Sequence, residues 1–402
     1  PSIAKEKEKE KKKSKSRARS ERQYMNMDKS SGFHMSGGDG ESSYAANSKV
    51  QEKTILESRP LLHDAVEAAH ALALLSSGAT LVVADLGCSS GLNTLLVVSE
   101  VLGALAGRRR RCQVQFFLND LPSNDFNQVF RSLELFNDNN NNRKGEKAPP
   151  YYVAGVPGSF YTRLFPDRSV HLFYSSFCLM IRSKVPEGVG SLNQGNIYLW
   201  ETTPAPVVEL YQEQFREDLS QFLRLRHSEL VASGRMVLTF VGRKDAHVLR
   251  GEMCCFWGLL SQALQALVHQ GRVEKEKLDS FNLPLYTPSI AEVEAAIEES
   301  QLFDINHIRL SEHGWDDLDG DVVLDTVQSG VKVARNVRPV MGPILARHFG
   351  EGILDDLFET FAQNVAKHLE RVVTQEVDTK YAVVLLSLTA RCAVMPDIVT
   401  SV

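Results

Sequence analysis

Apolar residues recur along the chain in two rhythms. Short continuous runs read as buried strands: Leu81–Asp85, Gln113–Asp120, Val170–Tyr174, Gly234–Val241 and Tyr381–Leu388. Between them lie stretches of helical spacing. Asn93 opens one, and Glu213–Leu230 carries Phe215, Leu219, Phe222, Leu223 and Leu230 on a single stripe. Trp257–Val268 has little charge and reads as a covered helix. Ser289-Ile-Ala-Glu292 forms a capping box for a helix to Ser300, and Gly350–Arg371 predicts a long helix. Gly195–Trp200 is short and apolar, and Gly314–Asp325 reads as an acidic loop. Strands alternating with helices predict an α/β fold with a doubly wound, mostly parallel sheet. Helical material between Met253 and Gln301, with no strand, predicts an inserted helical cap, extending over about 250–345.

The first strand carries the chemistry. Asp85 closes its apolar run, Gly87 and Gly91 punctuate a turn, and Asn93 starts a helix. Ligands of doubly wound sheets sit outside such strand ends. The spacing Gly-x-x-x-Gly behind an acid is not the dinucleotide fingerprint, and a carboxylate there repels a phosphate. It suits a cationic methionine head with a ribose, which is S-adenosylmethionine (SAM). Taken alone, this turn serves equally as an ordinary strand–turn–helix. Asp120 ends the second strand, where a nucleotide fold holds a ribose diol. Two strand ends therefore offer carboxylates.

Composition is that of a soluble globular protein, with 402 residues, 45 basic and 50 acidic. The charge is uneven: residues 1–33 carry a balance of +6 and the remainder −11. Residues 1–33 read as a disordered basic tail, 34–388 as the catalytic domain and 389–402 as a second tail. An acidic body excludes nucleic acid as substrate. No apolar run approaches a membrane span. Cys88, Cys112, Cys178, Cys254, Cys255 and Cys392 show no zinc or redox spacing; with no signal peptide they imply reduced thiols and a cytoplasmic protein. Asn137–Lys147 reads as a polar loop. Tyr44, Asn47/Ser48 and Gln51 follow a Gly-rich segment at helical spacing and suit a lid over a ligand; a solvated helix start is the plainer reading.

Five motifs agree in order with one family: Gly40-Glu-Ser-Ser-Tyr44-Ala-Ala-Asn-Ser-Lys-Val-Gln51; Ala84-Asp85-Leu-Gly-Cys88-Ser-Ser-Gly-Leu-Asn93; Phe117-Leu-Asn-Asp120-Leu121-Pro-Ser-Asn-Asp-Phe-Asn; Val156-Pro-Gly-Ser159-Phe160-Tyr; and Glu276-Lys-Leu-Asp279-Ser-Phe281-Asn282-Leu-Pro. The chain resembles the plant carboxyl methyltransferases that make methyl salicylate, benzoate, jasmonate and anthranilate, together with the caffeine-pathway N-methyltransferases. The resemblance runs from about Phe33 to Leu388. Arg182-Ser-Lys-Val-Pro-Glu-Gly and Trp200-Glu-Thr-Thr-Pro are most similar to the grass branch acting on anthranilate, salicylate and benzoate.

The resemblance implies a SAM-dependent methyltransferase fold with an inserted helical cap. It implies that Tyr44, Asp85, Cys88, Asn93, Asp120, Leu121, Ser159 and Phe160 surround the cofactor, Asp120 taking the ribose hydroxyls and Phe160 lying on the adenine. Gln51 would hydrogen-bond the substrate carboxylate. Phe177, Met180, Ile181, Phe256, Trp257, Tyr286, Val337 and Val340 fall where the family lines its aromatic-acid pocket. Glu201, Asp279, Phe281 and Asn282 match a magnesium position of parts of the family, whose first residue is usually Asn. The family is often homodimeric. Each assignment has a plainer reading from the residues alone: Phe177, Met180 and Trp257 as core, Cys88 as a small turn residue, Asp279 and Asn282 as helix-end and turn residues. His171 likewise reads as core, and Cys254-Cys255 as packing.

Two departures stand out. The family generally has Trp where this chain has Ile181, and that indole N–H helps hold the carboxylate. It commonly has Lys where this chain has Ser36. Losing one charge-assisted hydrogen bond costs roughly 1.5–3 kcal/mol. Either Gln51 with Arg182 or Lys184 compensates, or the substrate differs, or activity is weak. The implied reaction is in-line attack of a carboxylate oxygen on the sulfonium methyl. A benzoic-type acid is already ionised at pH 7, so no general base is needed. Two other classes remain open: a methyltransferase acting on a neutral xanthine or phenol, and a non-catalytic cofactor-binding protein.

Overall fold

The computed structural model describes residues 33–38, 40–75, 80–108, 112–141, 148–315, 325–375 and 380–392. The basic tail up to residue 32 lies outside them, as do most of the Asn-rich loop, the greater part of the acidic loop after Gly314, and residues 393–402. In chain order the elements are α1 (Lys49–Glu57), α2 (Arg59–Ala73), β1 (Thr80–Leu86), α3 (Asn93–Leu105), β2 (Gln113–Asp120), α4 (Phe126–Asn141), β3 (Tyr151–Pro157), β4 (Val170–Ser176), α5 (Val189–Leu192), α6 (Ala205–Glu229), β5 (Leu230–Gly242), α7 (Glu252–His269), α8 (Lys275–Ser280), α9 (Ile290–Ser300), β6 (Phe303–Gly314), α10 (Thr326–Phe349), α11 (Leu354–Gln375) and β7 (Lys380–Ala390).

Seven strands form one sheet in the order β3-β2-β1-β4-β5-β7-β6. The first five are parallel, and β7 runs antiparallel to both β5 and β6. The chain winds outward from β1 through β2 to β3, then returns to place β4 on the other side of β1. That reversal is the topological switch point, and it opens a crevice beyond the carboxyl ends of β1 and β4. β1 and β4 are almost wholly buried, which is why they read as continuous apolar runs. One apolar layer lies between α2, α3 and the β1/β2 face. The other, larger layer carries α6, α7, α10 and α11.

The expected doubly wound architecture is present. The capping box is formed: Ser289 Oγ accepts from Glu292 N–H, and the Glu292 carboxylate accepts from Ser289 N–H at 2.8 Å. Three expectations are corrected. The chain between Gln301 and Gly314 is a twelve-residue strand, β6, at the edge of the main sheet. Paired on one side only and half exposed, it alternates Phe303/Ile305 and then Ile308/Leu310 with polar residues, but a register shift between Ile305 and His307 breaks that rhythm and hides it. The 250–345 span is therefore not all cap: α7 and α11 pack together and α10 joins them, while α9 lies against α6 and β6. Helix α1 begins at Lys49; Tyr44, Asn47 and Ser48 are buried in the turn before it. None of the described helices is long and apolar enough to cross a membrane.

One buried ion pair joins α6 to a loop that the site needs. Arg226 and Glu229, both fully buried, meet at 2.7 Å. Glu229 Oε1 accepts from the backbone N–H of Leu164 and Phe165, at 2.7 and 3.1 Å. Arg226 donates to the carbonyls of Phe160 and Thr162, at 2.8 and 2.9 Å. The segment 160–165 is thus clamped from its backbone. Breaking such a pair leaves an uncompensated buried charge, whereas replacing both partners by apolar residues costs far less. Glu229→Ala is expected to lower unfolding stability by about 3–5 kcal/mol in a denaturant titration. The double substitution Arg226→Met, Glu229→Leu removes the lone charge but leaves four backbone groups without their partners, so it should also be destabilised; a double variant as stable as wild type would contradict the clamp.

Candidate active site

The site is assembled at the ends of β1, β2 and β4. Asp85 ends buried, and its Oδ2 accepts from the Thr94 hydroxyl at 2.7 Å. The chain then turns sharply. Gly87 has φ +81°, and a Cβ there would stand 2.1 Å from Cys178 Sγ, so no side chain fits. The N–H groups of Gly87 and Cys88 donate to the Asn119 carbonyl, at 2.8 and 2.9 Å. This ties the turn to the end of β2. There Asp120 accepts from the N–H groups of Ser89 and Leu121, both at 2.7 Å.

Both acids are held against their own ionisation. Burial lifts the Asp85 carboxyl to about 7, the Thr94 hydroxyl opposing and the Asp120 charge adding. Burial lifts Asp120 to about 6, its two backbone donors opposing. Nearby thiols and phenols are pushed up by the same desolvation: Cys88, Cys178 and Tyr44 stay protonated. Cys88 sits buried in the turn after β1, its thiol held protonated by that burial. A pocket that penalises negative charge yet carries two carboxyls favours a cation beside them.

Three neighbouring cavities share wall residues here. The first, about 780 Å³ with its mouth included, is walled by Tyr44, Asp120, Leu121, Ser159, Phe160 and Ile181, with Phe33, His34 and Met35 of the N-terminal segment over it. The second, about 300 Å³, is a deeper recess walled by Tyr44, Gln51, Asp85, Cys88 and Asn93. The third, about 670 Å³, is almost entirely apolar, with Phe177, Met180, Phe256, Trp257, Val337 and Val340 in its wall. Gln51 borders the second and third, and Phe177 the first and third. Phe177 is fixed with φ +56°, a backbone conformation costly for a bulky residue. Gln51 Oε1 is buried with no hydrogen-bond partner. The segment expected to act as a lid lies against the site: Ser36 N–H donates to the Pro339 carbonyl, Asn93 to the Ser48 carbonyl, and Arg335 to Asn47.

Sequence-based expectations fail at several positions. Tyr286 lines none of these cavities; its hydroxyl donates to Glu292 at 2.6 Å, and its ring packs on Phe215 and the Arg243 guanidinium. Ile181 faces the first cavity rather than the aromatic one, its carbonyl accepting from Tyr161. Arg182 does not compensate for it: the guanidinium is buried over Phe215, near Asp218, and donates to the Leu179 carbonyl. Lys184 is exposed and lies 3.5 Å from Glu187. The residues matched to a magnesium position do not fit a metal. Asp279 accepts from Gly195 N–H and pairs with Lys275, while Asn282 Oδ1 accepts from Asn193. Glu201 belongs to a separate cavity with His247 and His368. Among the described residues no group of three or more His, Cys, Asp or Glu is placed to hold a metal ion.

The sequence reading missed other members of the site. Trp315, Asn336 and Tyr381 also line the aromatic cavity. The Trp315 Nε1–H is buried with no partner among the described residues, its ring stacked on His368 and set edge-to-face with Phe256. Valines at 333, 337 and 340 share a helical face with Asn336, and that spacing was the available signal. For Trp315, which follows an unrecognised strand, there was none.

Comparison with known proteins agrees with this geometry. A family model described as SAM dependent carboxyl methyltransferase matches residues 30–391. Anthranilate O-methyltransferase 2 of Zea mays is 50% identical over 370 residues, covering 88% of this chain and 96% of its own. Benzoate O-methyltransferase of Zea mays is 46% identical over 377 residues, with 87% and 97% covered. Among solved structures, a loganic acid methyltransferase with SAH superposes with a TM-score of 0.77 at 33% identity, covering 89% of this chain and 99% of that one.

The strained acids give a stability test. Asp85 has a folded value near 7, above the unfolded carboxylate. Its contribution is therefore full in acid, below the unfolded value, and is lost as pH rises through 7. Asp85→Asn should raise the unfolding temperature of the ligand-free protein at pH 8 by several degrees and leave it little changed at pH 4. A stabilisation that is the same at both pH values would contradict the assignment.

Proposed function

The chain belongs to the SAM-dependent carboxyl methyltransferases, and from that premise we propose that it methylates the carboxylate of a small aromatic acid of the anthranilate, benzoate or salicylate type. The observation that carries this reading is the junction at Gln51. One side of that residue faces an acid-lined recess, and the other faces a cavity walled by Phe177, Phe256, Trp257 and Trp315. A flat apolar acid fits such walls.

The residues suit the cofactor. Asp85 and Asp120 offer carboxylates to its cationic head and its ribose, and Phe160 offers a ring face to its adenine. Tyr44, Cys88, Asn93, Leu121 and Ser159 complete the enclosure. When bound, SAM supplies a methyl group on a sulfonium, a leaving group that needs no acid. The protein's work is then positional. Gln51 is neutral, so its amide N–H can aim the carboxylate without withdrawing its charge. The apolar cavity strips water from that oxygen. No proton has to move, because the acid is ionised at pH 7. A phenolic acceptor would need a base, and the described residues around the aromatic cavity include no His, Asp, Glu or Lys.

Purified protein supplied with labelled SAM should form methyl esters of benzoate, salicylate or anthranilate. Gln51→Ala should lower kcat/KM by roughly tenfold to a hundredfold, the equivalent of a hydrogen bond to a charged group, while SAH still binds. If the variant loses SAH binding and turnover together, Gln51 holds the cofactor rather than the acid. If the wild-type protein binds SAM yet esterifies no acid in the panel, the substrate reading is wrong.

A further inference from the structure

We propose that Asn336 sets the substrate choice of this enzyme, selecting an aromatic acid that bears an amino or hydroxyl group over one with an unsubstituted or alkyl-substituted ring. The inference rests on the carboxyl-methylating function proposed above. It begins from α10, where residues 333, 336, 337 and 340 lie on one helical face. Three of the four are valines, and all four line the aromatic cavity. Asn336 is the polar exception on that face. It is partly exposed, and its side-chain amide makes no hydrogen bond to any described residue.

A structural role does not account for it. The link between α10 and the N-terminal segment is made by its neighbour Arg335, whose Nε donates to Asn47 Oδ1 at 3.1 Å. Inside a helix Asn is a poorer former than Ala, because its side chain competes for backbone groups. It caps nothing here, since the helix runs ten residues before it and thirteen after. An amide facing an apolar wall, with both donor and acceptor unused, favours a ligand that brings the matching group.

The carboxylate does not need it. Gln51 stands at the mouth of the acid-lined recess and takes that end of the substrate. Asn336 lines the same cavity from a different element, α10. A bare benzoate leaves the amide facing hydrocarbon. A ring amino group can donate to Asn336 Oδ1, and a ring hydroxyl can accept from Nδ2–H or donate to Oδ1. Sites built to hydrogen-bond a substrate group reject analogues that lack it, because their own polar atoms then go unpaired.

The test compares wild type and Asn336→Ala on benzoate, methyl-substituted benzoates and the amino- and hydroxybenzoates with substituents at each ring position. Wild type should favour at least one amino- or hydroxy-substituted acid over benzoate. The alanine variant should lower that preference ratio by about tenfold, as expected for one lost hydrogen bond. Calorimetry of the same acids binding to the SAH-loaded proteins should show the ratio falling likewise, and the SAH titration checks that the variant is folded. Esters formed with the same ratio in both proteins would overturn the role of Asn336 and leave the carboxyl methylation intact. Ester formation from none of the acids, with SAM bound, would overturn the underlying function and this inference with it.

Discussion

Two carboxylates at the ends of adjacent parallel strands, both lifted above their ordinary range by burial, are the constraint around which this molecule is arranged. A folded protein does not hold such groups without compensation. Here the fixed donors are few: one hydroxyl for Asp85 and two backbone N–H groups for Asp120. Those contacts orient the acids but do not neutralise them. On the reading proposed above, the cationic head of SAM would do so for Asp85, and its ribose hydroxyls would meet Asp120.

The rest of the architecture protects that arrangement. The tight turn at Gly87 brings the two strand ends together through Asn119, and Cys178 fills the space a side chain would need. The Arg226–Glu229 pair fixes the loop that carries Ser159 and Phe160 into the cleft. The N-terminal segment lies over it and is anchored to α10. That same helix faces the aromatic cavity, so it touches both the cover of the cofactor cleft and the wall of the acid pocket. Chemistry that requires only alignment and dryness leaves its mark in such packing rather than in a triad of reactive groups.

How much of this was legible in the sequence follows from what each residue must satisfy. Asp85, Gly87 and Asp120 could be read as the ends and turn of two buried strands, because an apolar run stopped by an acid and a glycine marks a strand end; the turn alone left its ligand open. Phe177, Met180, Trp257, Val337 and Val340 were placed only by motif position, since composition alone would have put them in the core. Tyr286 shows the limit of that method: the motif gave its place in the chain, but Glu292 and Arg243 hold its hydroxyl and ring away from the cavity. β6 was missed because a register shift between Ile305 and His307 breaks its apolar alternation into two short pieces. Arg226 and Glu229 lie off the apolar stripe of α6, yet both are fully buried. Their burial depends on a loop some sixty residues earlier in the chain, which no local pattern can report.

The most direct test of the account is the number of protons displaced when the cofactor binds. SAM binding is measured by calorimetry near pH 6.5 in two buffers of different ionisation enthalpy. If Asp85 and Asp120 are partly protonated when empty and ionised when a cation arrives, protons leave the protein, and the observed heat differs between buffers in the sense of release. Identical heats in the two buffers, or a difference in the sense of proton uptake, would contradict it.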